Sequence, residues 1–262
     1  MGSLKALIAS TAILMSLDAK LPRSGVDLAL VIAADVSYSM DSEDQRVQRE
    51  GYVRAFLDPE IIEASRSGPL GRIAVTYVEW GGSAVQAVPW TIIDDAPSAR
   101  LFAAELARQP LRRISFTSIS NALAFSRDLL GSSGLTAARH LIDVSGDGPN
   151  NAGAPVPVAR DAALAQGMVI DGLPLMLRTA SSTIPDLDRY YQHCVIGGYG
   201  SFILPVTDIG QLADAIRRKL LIEISGPRLA RDLPGKAALA RTGYTGYDCL
   251  IGEELEERAI GR

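Results

Sequence analysis

The sequence predicts an α/β protein with a doubly wound, mostly parallel central sheet, one antiparallel edge strand and helices on both faces. Short apolar runs alternate with segments of helical period along most of the chain, which is typical of strand–helix–strand units. Several runs are apolar at successive positions, as expected of strands covered by helices on both sides. Two runs are separated only by the residues at 81–83, a spacing typical of a hairpin, so one strand is expected to be antiparallel at a sheet edge.

The first elements begin with the strand at 26–34, which is almost continuously apolar. The helix after it is expected to start near Ser42, with Ser42 and Gln45 as a capping box, and to run towards Phe56. The elements that follow are a short helix at 60–65, hairpin strands at 72–80 and 84–90, a helix at 97–107 with Pro97 in its first turn, and a helix at 118–130 that ends before Gly131.

The second half opens with a strand at 140–145 and the dense turn signal "GDGPNN". The remaining predicted elements are a helix at 156–166 closed by Gly167, a strand at 168–174, a short helix at 184–193, a strand at 201–205 and an amphipathic helix at 209–224. The periodicity fades after Gly226-Pro227. We therefore expect one domain over 25–224 and a C-terminal tail over 225–262.

The first 20 residues are set apart from the fold. One lysine precedes an apolar, small-residue stretch from 6 to 17, which is too short to span a bilayer and is typical of a secretory signal. The alternative is a partly buried N-terminal helix. We expect residues 1–20 to be a signal peptide and the protein to be exported, either periplasmic or secreted by a bacterium, with no membrane span after the signal is removed.

Charge and cysteine content narrow the classes of function. A net charge of −4 gives no basic surface for nucleic acid. The two cysteines, Cys194 and Cys249, are compatible in an exported chain with one disulfide or with two unpaired thiols. Neither belongs to a set of Cys and His residues with the spacing that a zinc site needs, and the two histidines show no ligand spacing.

Three polar segments are expected at the carboxyl edge of the sheet, where parallel α/β sheets bind ligands. Asp35, Ser37 and Ser39 follow the first strand, Thr117 lies at the entry of a helix, and Asp147 follows a central strand between two glycines. Two carboxylates and three hydroxyls, completed by water, suit an octahedral Mg²⁺ or Mn²⁺. Because hydroxyl ligands are neutral, such an ion would keep a net positive charge and attract an external carboxylate.

These segments carry a resemblance to a known family. "DVSYSM" after a buried strand, a helix-entry threonine and "SGDG" after a later strand resemble the three metal-site loops of von Willebrand factor A domains. The resemblance covers about residues 25–224 and implies that fold and a metal-ion-dependent adhesion site. Stretches such as "VSGDGPNN" and "CVIGGYGSF" are similar to those of exported bacterial A-domain proteins of unassigned function. The residues that match the motifs are Asp35, Ser37 and Ser39 in the first loop, Thr117 in the second and Asp147 in the third.

The second loop departs from the family pattern. The family usually has a Gly-Gly pair before the threonine, whereas this chain has Ser115-Phe116. Ser118 therefore competes with Thr117 as the second-loop ligand.

Three further residues are candidates to support the ligands or to contact a partner. Tyr38 lies inside the first loop and is expected to face solvent near the ion. Asp143 lies within a strand that should be buried, and Ser145 follows on the same face. Asp143 is open to two interpretations, a hydrogen-bonding support for the ligands or a paired carboxylate of the core.

The sequence as a whole predicts a non-enzymatic module that binds a protein partner, whose Asp or Glu completes the coordination of the ion. One alternative is a metal-dependent hydrolase that uses the ion to activate water, for which only Asp143 and Glu43 are available as bases. Another is a structural A-fold module with an empty site. "GGYG" at 197–200 precedes a strand and does not indicate dinucleotide binding, and no Gly-x-Ser-x-Gly elbow of a serine hydrolase is present.

Overall fold

A computed structural model describes residues 25–177, 184–226, 238–239 and 246–261. Within these residues seven strands form one sheet, and the fold class predicted from the sequence is confirmed. The strands are β1 (Gly25–Asp35), β2 (Ile73–Trp80), β3 (Ala84–Ile93), β4 (Thr136–Gly146), β5 (Val169–Pro174), β6 (Phe202–Ile203) and β7 (Ala238–Leu239). Their spatial order is β3-β2-β1-β4-β5-β6-β7.

The sheet is parallel except at its two edges. β1 pairs in parallel with both β2 and β4, and parallel pairing continues from β4 through β5 to β6. The predicted hairpin places β3 antiparallel to β2 at one edge. At the other edge the two-residue β7 pairs antiparallel with β6. The sequence did not predict β7, because two residues carry no detectable strand period.

The helices follow the predicted order, with one addition near the C-terminus. Their bounds are α1 (Ser42–Leu57), α2 (Pro59–Arg66), α3 (Ala96–Arg108), α4 (Ile119–Ser132), α5 (Val156–Leu164), α6 (Leu187–Tyr190), α7 (Leu212–Ser225) and α8 (Ile251–Ile260). α6 runs into a π-helical turn, Tyr191–Val195. The segment predicted as a tail contains α8. None of the described helices is long and apolar enough to cross a membrane, and the predicted signal peptide lies outside the described residues.

The predicted capping box of α1 is wrong. Asp41, not Ser42, is the N-cap, and its Oδ1 accepts hydrogen bonds from the N–H groups of Glu43 at 2.9 Å and Asp44 at 2.8 Å. Asp and Ser are both good N-caps. The sequence alone does not decide between neighbours, because the choice depends on which residue keeps an extended backbone.

The core has two layers, one on each face of the sheet. In β1, Leu30 and Ile32 face the layer that contains α1, α3 and α7, whereas Val31 and Ala33 face the layer that contains α4 and α5. All four side chains are fully buried. This alternation explains why the strand is apolar at every position from Leu28 to Ala34, and it leaves the carboxyl end of β1 as the place where polar residues resume.

A buried charged cluster fastens α7 to the sheet. Lys219 Nζ donates to Asp143 Oδ1 at 2.5 Å and also to Glu223 Oε1, and all three side chains are buried. Asp143 Oδ2 accepts a hydrogen bond from the Tyr52 hydroxyl at 3.2 Å. Of the two interpretations of Asp143, the paired core carboxylate is therefore the one found in the structure.

Asp171 on β5 gives this region a pH dependence. Burial raises the pKa of Asp171 to about 7 against the opposing attraction of Lys219, with Asp143 adding repulsion and Arg139 attraction. A carboxyl whose pKa is raised on folding binds its proton more tightly in the folded state, so its contribution to stability is lost as pH rises. We expect the free energy of unfolding to fall between about pH 4 and pH 7, at up to about 1.4 kcal/mol per pH unit for this group.

Urea unfolding at several pH values measures this slope. Asp171→Asn keeps an oxygen that can accept from the Phe202 N–H, which Asp171 Oδ1 accepts at 2.9 Å, but it removes the titrating proton. The slope is therefore expected to be shallower in this variant. An equal slope in the two proteins would contradict the prediction.

Candidate metal centre

The first-loop residues lie at the carboxyl end of β1, in contact with the third loop. Asp35 is fully buried, and its Oδ1 accepts the Ser37 N–H at 2.7 Å. The hydroxyls of Ser37 and Ser39 are 2.8 Å apart, and Ser39 Oγ donates to Asp147 Oδ1 at 2.6 Å. The structure therefore brings four of the five predicted ligands together through a continuous series of polar atoms.

The second carboxylate oxygen of Asp35 is in an unusual position. Oδ2 is buried and has no hydrogen-bond partner among the described residues. A Cβ at position 146 would lie 2.8 Å from this oxygen and 2.8 Å from the Tyr191 hydroxyl, so glycine at this position lets the end of β4 approach Asp35 closely. Burial, and then the negative charge of Asp147, raise the pKa of Asp35 to about 8. An unpartnered carboxylate oxygen beside a second carboxylate fits a cation, which would satisfy both.

The second loop is held beside the other two by Asn151. The buried Thr117 donates its N–H to Asn151 Oδ1 at 2.7 Å, and the Asn151 N–H donates back to the Thr117 carbonyl at 2.8 Å. Ser118, the competing candidate, accepts from the Asn121 N–H at 3.3 Å as the N-cap of α4 and donates to the Ala152 carbonyl at 2.8 Å. Its hydroxyl is used to start the helix, which favours Thr117 as the second-loop ligand.

The departure at Ser115-Phe116 has a backbone consequence. Phe116 has a φ of 63°, the left-handed region that glycine adopts freely and that costs other residues about 1–2 kcal/mol. Phe116 is 53% exposed, so packing of its side chain offsets little of that cost. The loop is held in place by the Gly82 N–H, which donates to the Ser115 carbonyl at 2.7 Å, and by the Ser118 N–H, which donates to the Gly81 carbonyl at 3.1 Å.

This strain predicts an order of stability among variants at position 116. Phe116→Gly removes the left-handed penalty, whereas Phe116→Ala keeps it and loses the ring. We expect the glycine variant to be about 1 kcal/mol more stable than the alanine variant in urea unfolding, although glycine ordinarily destabilises a folded chain. A glycine variant less stable than the alanine variant would show that the backbone at this position is not strained.

Ser145 supports the first loop through a residue of α1. Its Oγ donates to Gln48 Oε1 at 2.9 Å, and Gln48 Nε2 donates to the Asp35 carbonyl at 3.2 Å. All three side chains are buried. Ser145 therefore fixes the backbone of Asp35 through α1, which is a supporting role. Gln48 was missed by the sequence analysis, and its only signal was a polar residue on the buried side of α1.

Tyr38 is exposed at the rim, as predicted. Its ring is 60% accessible, and its carbonyl accepts from Arg113 Nη2 at 2.9 Å. The Arg113 guanidinium carbon lies 5.0 Å from the centre of the Tyr38 ring, within cation–π range. No feature of the sequence indicated Arg113 as part of this site.

A groove of about 470 Å³ opens over the site. One side is formed by residues of the metal-site loops, and the opposite side by α8. This arrangement was not predicted, because the residues after 224 lack a clear period and were expected to form a tail. The lining includes Tyr38, Ser39, Phe116 and Thr117 from the loops, with Leu255 and Glu256 from α8.

The donor set indicates the kind of ion. Within the described residues there is no group of three or more His, Cys, Asp or Glu side chains arranged to hold a metal. The donors of this site are two carboxylates with neutral hydroxyls, all oxygen. Such a set suits Mg²⁺ or Mn²⁺ better than zinc, which prefers nitrogen and sulfur.

The chain matches one protein family and is similar in fold to several solved structures. Residues 25–228 match the family described as "Protein of unknown function (DUF1194)". A von Willebrand factor type A structure from Catenulispora acidiphila is 15% identical, with a TM-score of 0.54 over 77% of this chain and 43% of that chain. Proximal thread matrix protein 1 from the mussel byssus, with a zinc-occupied MIDAS motif, is 14% identical, with a TM-score of 0.55 over 76% of this chain and 48% of that chain.

These likenesses establish the von Willebrand factor A fold. The chain spans less than half the length of either structure. No curated protein matches the chain.

Proposed function

The chain belongs to the DUF1194 family of proteins of unknown function, and we propose that its A-type domain binds a protein partner through a divalent cation. Mg²⁺ or Mn²⁺ would be held by the five loop residues, and an Asp or Glu of the partner would complete its coordination. The observation that carries the proposal is the buried Asp35 Oδ2, which has no hydrogen-bond partner among the described residues and lies at one end of the polar series to Asp147. The proposed ligands are Asp35, Ser37, Ser39, Thr117 and Asp147.

The role of each protein group follows from its position. Asp35 and Asp147 supply the negative charge, whereas Ser37, Ser39 and Thr117 supply neutral oxygens. When bound, the ion supplies a positive charge with a position open to an external carboxylate. The exposed rings of two groove residues, Tyr38 and Phe116, offer apolar contact area beside that position.

A structure of similar fold supports a divalent site at these loops. The mussel protein has zinc in its MIDAS motif. The all-oxygen donor set of this chain favours Mg²⁺ or Mn²⁺ over zinc. The disulfide between Cys194 and Cys249 supports export to an oxidising compartment.

The side chains considered as bases for a hydrolase are engaged elsewhere. Asp143 is buried in its ion pair with Lys219. Glu43 is exposed on α1 and pairs with Arg46. Hydrolysis by metal-bound water needs a positioned base at the open coordination site. These positions favour binding over catalysis.

Titration calorimetry of the metal-free chain with Mg²⁺ and Mn²⁺ tests the ion site. We expect binding to one site in the wild type and none in Asp35→Ala. Affinity capture with and without a chelator then tests the partner, which should be retained only with metal and should be lost when its contacting carboxylate is replaced by an amide. Identical calorimetry of wild type and Asp35→Ala, or robust Mg²⁺-dependent turnover of phosphate or carboxylate esters, would overturn the proposal.

A further inference from the structure

Helix α8 packs against the loop that follows β4. Asn150 Nδ2 donates to Glu253 Oε1 at 2.7 Å, and Asn151 Nδ2 donates to Glu256 Oε2 at 3.3 Å. Next to the Glu253 contact the two backbones approach closely, because a Cβ at Gly252 would collide with the Asn150 carbonyl oxygen. The contact therefore depends on two acidic side chains and on the lack of a side chain at one position.

The same two asparagines hold the second ligand loop. Asn151 is bonded to Thr117 through both its side chain and its backbone, at 2.7 and 2.8 Å. Asn150 Oδ1 accepts the Ser120 N–H at 3.0 Å, in the first turn of α4. Helix α8, the loop after β4 and the Thr117 loop thus form one hydrogen-bonded series that ends at a proposed metal ligand.

The start of α8 is fixed covalently and by packing. Cys249, two residues before the helix, forms a disulfide with Cys194 in the π-helical turn. Ile251 and Leu255 pack against the core layer that contains α4 and α5. The helix therefore cannot leave the loop without losing apolar contacts as well as hydrogen bonds.

We propose that α8 is a structural part of the metal site, in which Glu256 acts through Asn151 to hold the Thr117 loop in its cation-binding position. This inference rests on the proposed function. Glu256 and Asn151 are positioning residues that do not touch the ion. Groups that orient metal ligands in this way typically change metal affinity by about 10–100-fold when they are removed.

Mn²⁺ binding to the full, disulfide-bonded chain tests this, with the free ion measured by electron paramagnetic resonance. Asn151→Ala removes the acceptor of the Thr117 N–H and is expected to weaken binding about 10-fold. Glu256→Ala removes only the outer contact and is expected to weaken binding about threefold, less than the usual range, because Glu256 acts on Thr117 only through Asn151. Glu256→Gln keeps an oxygen acceptor for Asn151 and is expected to restore the wild-type affinity, a rescue that loss of general stability would not produce.

Gly252→Ala tests the helix without altering any side chain of the hydrogen-bonded series. Its Cβ displaces α8 from Asn150, and we expect Mn²⁺ affinity to fall about 10-fold. Gly131→Ala in α4 is the matched control, because its Cβ would meet only Gln166 Oε1 at 4.0 Å. Thermal unfolding of each metal-free variant verifies that it is folded. If Asn151→Ala does not fold, the test rests on Glu256, the half-buried outer end of the series.

Two results overturn the inference and are distinguishable. Wild-type Mn²⁺ affinity in Glu256→Ala and Gly252→Ala would show that α8 is not part of the site, while the proposed function would stand. Failure of the wild-type chain to bind Mn²⁺ would overturn both.

Discussion

Asp35→Asn is expected to abolish Mg²⁺ binding and, in the absence of metal, to make the protein more stable. The variant keeps an oxygen to accept the Ser37 N–H but replaces a fully buried, titrating carboxyl by a neutral amide. Loss of a charged ligand should weaken Mg²⁺ binding by at least about 100-fold, more than loss of an outer group. Without metal, the raised pKa of Asp35 means that this carboxyl must take up a proton when the chain folds at neutral pH. The amide avoids that cost, and we expect the free energy of unfolding to rise by about 1–3 kcal/mol.

Calorimetry and urea unfolding of the metal-free proteins measure the two effects separately. Asp128→Asn is a matched control, because that side chain is 68% exposed and its replacement should change stability by less than about 0.5 kcal/mol. A metal-free Asp35→Asn protein that is less stable than the wild type would contradict the assignment of Asp35 as an unsatisfied ligand, even if Mg²⁺ binding were lost.

Lys219→Met is expected to lower the free energy of unfolding by about 3–5 kcal/mol. Burial lowers the pKa of Lys219, but the carboxylates of Asp143 and Glu223 outweigh that effect and raise it above its ordinary value, so the amine stays charged. Methionine has a similar length but no charge. The variant leaves Asp143 and Glu223 buried without their cation, and an uncompensated buried charge is far more costly than a missing surface pair.

Arg217→Met in the same helix is the control for this variant. Arg217 also contacts two acids, Asp58 and Glu60, but its side chain is 36% exposed. Solvent screens such a pair, so we expect a loss below about 1 kcal/mol. Equal losses for the two variants in urea unfolding would show that burial does not determine the strength of the Lys219 cluster.

The sequence predicted those features whose causes are local or periodic. The alternation of strands and helices predicted the sheet. The polar residues at strand ends predicted four site residues that the structure joins by hydrogen bonds: Asp35, Ser37, Ser39 and Asp147. Site residues at strand ends can be predicted from sequence because a parallel sheet brings the carboxyl ends of its strands to one edge, independently of the loop conformations.

Other features were not predictable because they depend on contacts between distant segments. The sequence predicts Asn151 only as part of a turn, yet its side chain is hydrogen-bonded both to Thr117 and to Glu256. The positive φ of Phe116 is imposed by the backbone on either side of it. Helix α8 is only ten residues long, and an isolated helix of that length is marginal in water, so its position depends on the disulfide and the packing at its start.

Because Asp35 and Asp147 lie close together, we expect the stability of the folded protein to depend on the concentration of divalent cations. Any ligand that binds only the folded state adds to stability as its concentration rises, by about 2.7 kcal/mol at 100 times its dissociation constant. Under the proposed function, chelation would remove that added stability, leave the carboxyls of Asp35 and Asp147 without their cation, and increase the fraction of molecules open to proteases. The resistance of the chain to digestion would then serve as a gauge of the free divalent cation around it.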